Sequence, residues 1–266
     1  MRNLILTLPL IALTGAASAH TPYLAPFNFA PTQPIVTVQN ALTDNTFFVP
    51  EFPIKGDDYE VTDAGGTVST GKGISLAELG LFETKLPREG TYRISTGNRD
   101  VRTLTLAQID GKWKPVKMPE NGVVNPPFVD QSKLPTGTKV IPVKTMVRAE
   151  TYISYNKPSD RVPPPANEGL EIAPVTHPNR VFAGQSFAFT LLFDGKPVTA
   201  EYQVFRANDA YATASFSLSA TAEEGKGRIE FSEPGIYVIE VSRNWTLGNP
   251  DDPRTWLTSL TLEVAP

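Results

Sequence analysis

The sequence predicts an all-β protein of immunoglobulin-like or transthyretin-like sandwiches, and three observations carry that prediction. Proline (25) and glycine (19) interrupt the 266-residue chain every few positions. Between them lie short runs rich in Val, Ile, Thr, Phe and Tyr, the composition and length of strands rather than helices. Two Asp-Gly dipeptides, Asp110-Gly111 and Asp194-Gly195, stand where one such run must turn back on the next, and their glycines tolerate the positive φ of a tight hairpin.

The first nineteen residues read as a secretory leader. Met1-Arg2 gives the charged start, Leu4 to Leu13 a short apolar run, and Ala17-Ser18-Ala19 the small-residue cleavage site. That run is too short to anchor in a bilayer, and no later stretch is long and apolar enough to span one. Ile35 to Gln39 alternates, Phe47-Phe48-Val49 is a short apolar run, and Val101 to Ile109 alternates again before meeting Lys112 to Val116 across Asp110-Gly111. Ile74 to Phe82 alone has a weak helical flavour and is expected as one turn or an irregular crossover.

Prolines 119, 126, 127, 135 and 142 mark 118–142 as a linker or extended edge segment. Lys144 to Tyr155 then alternates over a strand's length, and Pro158 to Asn167 is a second loop. Further strands are expected at Leu170 to Ala173, Ser186 to Phe193, Glu201 to Phe205, Gly227 to Phe231, Ile236 to Val241 and Trp256 to Val264. Leu86, Gly90, Tyr92 and Ile94 align with Phe231, Gly235, Tyr237 and Ile239 at a constant offset. An apolar strand end, a glycine and a tyrosine two residues on is how a tyrosine corner enters the core of an immunoglobulin-like sandwich. Two such corners predict two tandem sandwiches: a leader at 1–19, an N-terminal domain over 20–142 and a C-terminal domain over 143–266.

The sequence has no cysteine, so a chain exported to the bacterial periplasm must rely on core burial for its stability. A net charge of −4 and no run of Lys or Arg argue against nucleic acid or anionic lipid as partner. No Cys nucleophile, Gly-x-Ser-x-Gly elbow, P-loop, His-Glu-x-x-His or dinucleotide fingerprint is present. With two histidines in the chain, a Ser-His-Asp arrangement would need one of them beside a serine elbow that neither has. A non-enzymatic role follows.

Metal binding survives that screen. Cleavage after Ala19 makes His20 the first residue, and its α-amine and imidazole can close a chelate ring on one ion. The amine loses its proton at little cost near neutral pH, and His177 offers a third nitrogen. Such a nitrogen set suits Cu(II), with Ni(II) just behind. Pro22 lacks an amide proton, so the chain cannot wrap deprotonated backbone nitrogens around nickel. Met118 and Met146 are too far apart in sequence for a thioether Cu(I) site. The plainer alternatives are that His20 merely follows a cleavage site and that His177 caps the turn Thr176-His177-Pro178-Asn179. Tyr23, Phe27, Phe29, Phe47 and Phe48 wall a pocket or, more commonly, fill a core. Trp245 and Trp256 flank a turn-rich loop. Its Asp251-Asp252 is a candidate calcium pair, and Asn244-Trp245-Thr246 matches a glycosylation sequon.

Six segments together carry a resemblance: Ala19-His20-Thr21-Pro22-Tyr23-Leu24-Ala25-Pro26, Arg148-Ala149-Glu150-Thr151-Tyr152-Ile153, Leu170-Glu171-Ile172-Ala173-Pro174-Val175-Thr176-His177-Pro178, Leu192 to Val198, Glu233 to Tyr237 and Thr261 to Val264. They resemble a bacterial exported domain family of unknown function that is often labelled as the nickel-uptake, substrate-specific component. That resemblance implies a periplasmic β-sandwich linked to nickel or cobalt import, alongside an outer-membrane receptor or an inner-membrane transporter, with His20 and His177 the positions carried over.

The expectation is therefore a soluble periplasmic protein that binds Cu, Ni or Co through His20 and His177 and serves uptake or delivery. A metal-free binding module for a carbohydrate, peptide or receptor is the second reading. A copper oxidase with an N-terminal histidine is the third.

Overall fold

Alternation and turn chemistry produce strands almost throughout the computed structural model, which describes residues 20–43, 49–207, 216–243 and 253–266. The leader, Phe47, Phe48, the sequon, Trp245 and Asp251-Asp252 lie outside the described residues. The strands in the first part are β1 (Thr21–Pro26), β2 (Ile35–Thr43), β3 (Asp58–Asp63), β4 (Val68–Ser75), β5 (Gly80–Lys85) and β6 (Gly90–Ser95). Next come β7 (Arg99–Ile109), β8 (Lys112–Lys117), β9 (Val129–Asp130), a 3-10 turn (Gln131–Lys133) and the 16-residue β10 (Val140–Tyr155). The remainder is β11 (Leu170–Pro174), β12 (Ser186–Phe193), β13 (Lys196–Pro197), β14 (Ala200–Arg206), β15 (Ser217–Ala222), β16 (Lys226–Glu230), β17 (Gly235–Arg243) and β18 (Arg254–Val264).

One sheet runs β3-β6-β10-β18-β17-β14-β15 and is continued through β4 to β5, β2 and β1. All its pairings named here are antiparallel except β10 with β18, which run in the same direction with Glu150 opposite Leu260. Strands β1, β2 and β5 fold over one face of β3, β6 and β10. There Leu24, Val38 and Phe82 meet Tyr59, Ile94, Ala149 and Ile153. A second sheet of β11, β12, β13 and β16 covers the other face, where Phe187, Phe189 and Ile229 meet Tyr152, Tyr237, Ile239 and Leu260. Ala149 and Ile153 point one way and Tyr152 the other, as strand alternation requires, so β10 lends side chains to two cores at once. The expected boundary at 142/143 falls inside this strand.

Both tyrosine corners form. Tyr92 donates its hydroxyl hydrogen to the Arg88 carbonyl at 2.7 Å, and Tyr237 donates to the Glu233 carbonyl at 3.0 Å. Gly90 and Gly235 precede them at φ 130° and 154°, in the region glycine favours. The Asp110-Gly111 and Asp194-Gly195 hairpins also form, with φ of 54° and 73° in the first and 48° and 73° in the second, the signature of a tight primed turn.

Two expectations are corrected. Ile74 to Phe82 holds no helical turn: it ends β4, reverses at Leu76 to Leu79 and begins β5. Close packing explains this, because a Cβ on Gly71 would lie 2.5 Å from the Phe82 ring and one on Gly80 2.1 Å from the Asn40 amide. Nor does the proline-rich 118–142 stretch act only as a linker. It carries β9 and the 3-10 turn, and its last residues open β10, where Pro142 lies opposite Thr105 of β7. Among the described residues the other edge of β10 is first paired where Lys144 meets Arg254, and an open edge is where a proline costs no ladder bond.

Together β7, β8, β9 and the first half of β10 make a ribbon that, among the described residues, pairs with the main sheet only through β10.

Candidate functional site

His20 immediately precedes β1, a strand buried along its whole length. Its Nε2 lies 2.8 Å from Glu51 Oε2, with the two side chains about a third exposed, and its ring is 5.7 Å from that of Phe52. Glu51 is held there because Leu42 of β2 bonds to the backbone of Glu51 and Phe52, which brings that segment beside the start of β1. A neutral imidazole that donates from Nε2 to a carboxylate keeps its lone pair on Nδ1. Nδ1 is the nitrogen that shares a chelate ring with an α-amine at the same residue. In its neutral form the ring would donate from Nε2 to Glu51, the tautomer that a terminal-histidine chelate uses. Among the described residues no three His, Cys, Asp or Glu side chains gather into a metal cluster, so the α-amine is the donor that would complete a bite here.

One residue on, Thr21 hydrogen-bonds Glu240 of β17, whose carboxyl burial pushes above the usual range. Its Oε2 is enclosed without a hydrogen-bond partner.

His177 is placed elsewhere. Its Nε2 bonds Thr91 Oγ1 at 3.1 Å, and its Nδ1 accepts from the Asn179 backbone N–H at 3.2 Å. The acceptor role of Nδ1 puts the proton on Nε2, which then donates to Thr91. Thr91 and Ser154 hydroxyls are 2.9 Å apart, and Ser154 donates to Asn179 Oδ1 at 2.9 Å, so the four residues close a ring of hydrogen bonds. Both imidazole nitrogens are thus engaged. Burial and the nearby Arg180 charge push its pKa down, keeping it neutral. The turn-capping alternative matches this geometry, since the Arg180 N–H also bonds the His177 carbonyl at 3.0 Å.

The two histidines are not brought together. Thr91 and Ser154 pair across β6 and β10, and the Ser154 N–H bonds the carbonyl of Phe29, beyond the far end of β1. Six extended residues at about 3.3 Å each put His20 about 20 Å from that end.

The same two strands, β6 and β10, also carry a buried ionic seam that sequence reading missed. Arg148 Nη1 lies 3.0 Å from Glu150 and 3.3 Å from Glu171, and Arg93 reaches Glu171 at 3.6 Å, all four side chains being at most 3 % exposed. Glu171 also accepts the backbone N–H groups of Ala166 and Glu168, which fixes the 158–169 loop over the seam. Burial pushes the Glu171 carboxyl up, and the neighbouring Glu150 charge adds to that. The same neighbouring carboxylates hold the Arg148 guanidinium firmly charged despite burial. The signal was present in Arg-x-Glu on an alternating strand: Arg148 and Glu150 share a face, and charges on a buried face need partners.

The remaining candidates take ordinary places. Tyr23 and Phe29 are buried, whereas Phe27 is 69 % exposed beside a shallow groove with Ile35. Trp256 packs edge-on against Phe193 and closes over Gly169, where a Cβ would come within 2.3 Å of its ring. Met118 is exposed on the ribbon.

A family model described as a domain of unknown function (DUF4198) matches residues 17–244. No curated protein matches the sequence significantly. Among solved structures, Escherichia coli alpha-2-macroglobulin activated by porcine elastase is 12 % identical over 93 % of this chain, which spans 20 % of the macroglobulin, with a TM-score of 0.24. The chicken CNTN1 FN1-FN3 domains are 12 % identical, covering 93 % of this chain and 68 % of theirs, with a TM-score of 0.22. The D0-D1 domain of intimin is 10 % identical, with coverages of 91 % and 97 % and a TM-score of 0.21. Likenesses this low carry no argument about function.

Proposed function

The chain belongs to this family of domains of unknown function (DUF4198), and we propose that, processed after Ala19, it is a periplasmic carrier that takes Cu, Ni or Co for uptake or delivery and performs no chemistry on it. The carrying observation is the His20–Glu51 contact at 2.8 Å, which fixes the imidazole by its Nε2 on the residue whose α-amine cleavage frees. The donor set fits a borderline divalent ion: two nitrogens in one chelate ring, with a carboxylate on the far imidazole nitrogen to orient the ring and raise its basicity. His177 stays outside this ligand set because both its nitrogens are engaged in the ring with Thr91 and Asn179. We read the two tyrosine-cornered cores as tandem sandwiches fused through β10, the scaffold that holds the first strand in place.

A titration of Cu(II) and Ni(II) into mature protein with an authentic His20 terminus tests the reading. Tight one-to-one binding is expected, falling by about a hundredfold when one extra residue precedes His20, and by about tenfold in Glu51→Gln, the usual size of an outer-shell loss. Equal binding by the native and extended termini would overturn the site. Absence of binding by either would leave the metal-free interaction module as the better reading.

A further inference from the structure

Strand β15 ends one side of the large sheet, and among the described residues its one ladder partner is β14. An open edge of this kind offers a row of N–H and C=O groups to any extended chain, and folded proteins blunt it with proline, charge or shortness. Other edges of this molecule carry such devices. β1, at the far end of the same sheet, has Pro22 and Pro26. β16, which follows β15 across the turn at Glu223 to Gly225 into the second sheet, exposes Lys226, Arg228 and Glu230. β9 and β13 are each two residues long. β15 has none of these protections: the six residues Ser217–Ala222 include no charge, proline or glycine.

The core behind that edge is left ajar. Leu218, Ala220 and Ala222 alternate toward the cluster that holds Tyr202, Val204 and Ile239, yet Phe216, Leu218 and Ala220 are only half-buried there. Ser217, Ser219 and Thr221 face the other way and are exposed. A strand-adding peptide is selected through pockets for its alternate side chains, and three short hydroxyl residues make a flat ledge that reads none.

A second copy of β15 fits this edge better than a foreign strand does. Residues opposite one another in an antiparallel pair lie on the same face, so a two-fold axis at Ser219 sets Ser219 against its own copy and Ser217 against Thr221 on the exposed side. On the core side it sets Leu218 against Ala220 and Phe216 against Ala222, a larger side chain over a smaller one in each pair. No charge meets a like charge. Glu223 lies four residues from the axis, which puts it about 26 Å from its copy, well beyond the screening length of about 8 Å.

We propose that two copies of this protein pair antiparallel along β15 about a two-fold axis at Ser219, so that one sheet runs through the dimer and the two half-open core ends close on each other. One pair of strands buries less than the roughly 1,600 Å² of a standard interface, which puts the dissociation constant on the order of micromolar. The pairing is independent of the His20 reading.

Sedimentation velocity on the purified protein from about 1 to 200 μM decides it, with a shift from monomer to dimer expected across that range. Ser219→Lys sets two ammonium groups face to face and should weaken the dimer about tenfold or more, as Ser219→Glu should with two carboxylates. Circular dichroism and the Tm of the dilute monomer should not change in either variant, because the side chain is exposed. Mixing the two variants should restore the dimer, since Lys then faces Glu, a rescue specific to this register. A monomer at every concentration, a dimer that either variant leaves intact, or no recovery on mixing overturns the proposal. The first of these outcomes would leave the edge to a strand from another protein.

Discussion

At the scale of single residues, two histidines of the same chain meet opposite fates because of what surrounds each ring. His20 sets its Nε2 on a carboxylate at a partly open edge, whereas His177 joins a closed circuit with Thr91, Ser154 and Asn179. The folded state holds the pKa of His177 below its ordinary value near 6.5. A group depressed in this way binds its proton more readily in the unfolded chain, so its stabilising contribution is complete above about pH 6.5 and erodes as pH falls toward the folded pKa. Thermal unfolding from pH 7.5 down to 5 should show that decline, and the slope should shrink in His177→Gln. The variant should also lose about 1 to 3 kcal/mol at neutral pH, because Thr91 and the Asn179 N–H lose a buried partner. A titration of His177 by NMR at or above 6.5 would contradict the neutral ring. From sequence, His20 was noticed through its place after the cleavage site and His177 through its turn. What could not be read was that β1 would separate them.

Among the elements, those defined by local chemistry were legible. Asp-Gly turns, alternating runs and the paired Gly-x-Tyr segments depend on a few adjacent residues, and both corners close as that pattern implies. Tyr92→Phe and Tyr237→Phe should each cost about 1 kcal/mol or more in denaturant unfolding, since each removes a partly buried hydroxyl, which in Tyr92 both donates to the Arg88 carbonyl and accepts from the Arg88 N–H, and leaves the ring packed. A cost near zero for both would reduce the corners to packing alone. Strands that depend on distant partners were harder to see. β1 carries Pro22 and Pro26, and β4 carries Gly71 and Gly73, so both read locally as interruptions. Contacts of β1 with β10 and β18, far away in sequence, and the packing of β4 glycines under Phe82 of the next strand make them strands.

For the whole molecule, the buried seam ties β6, β10 and β11 across the junction of the two cores. Removing one charge from such a cluster strands the others, and the expected loss is about 3 to 5 kcal/mol for Glu171→Gln or Arg148→Met. Calorimetry should detect it as a lower Tm for one cooperative transition. A split into two transitions would mean that the cores unfold separately. The segments that carry the seam, Arg148 to Tyr152 and Leu170 to Ile172, were conspicuous in the sequence, yet their purpose was not. Only the fold shows that a glutamate twenty-one residues beyond Glu150 joins the same charge cluster.

Strand β10 sets a limit on divisibility. A fragment ending before it would lack Ala149 and Ile153, and a fragment starting within it would expose the face that those two side chains complete. Neither piece would carry a finished interior. Nicking between 142 and 143 should therefore leave two lengths of polypeptide that hold together as one particle, and separating them should abolish both.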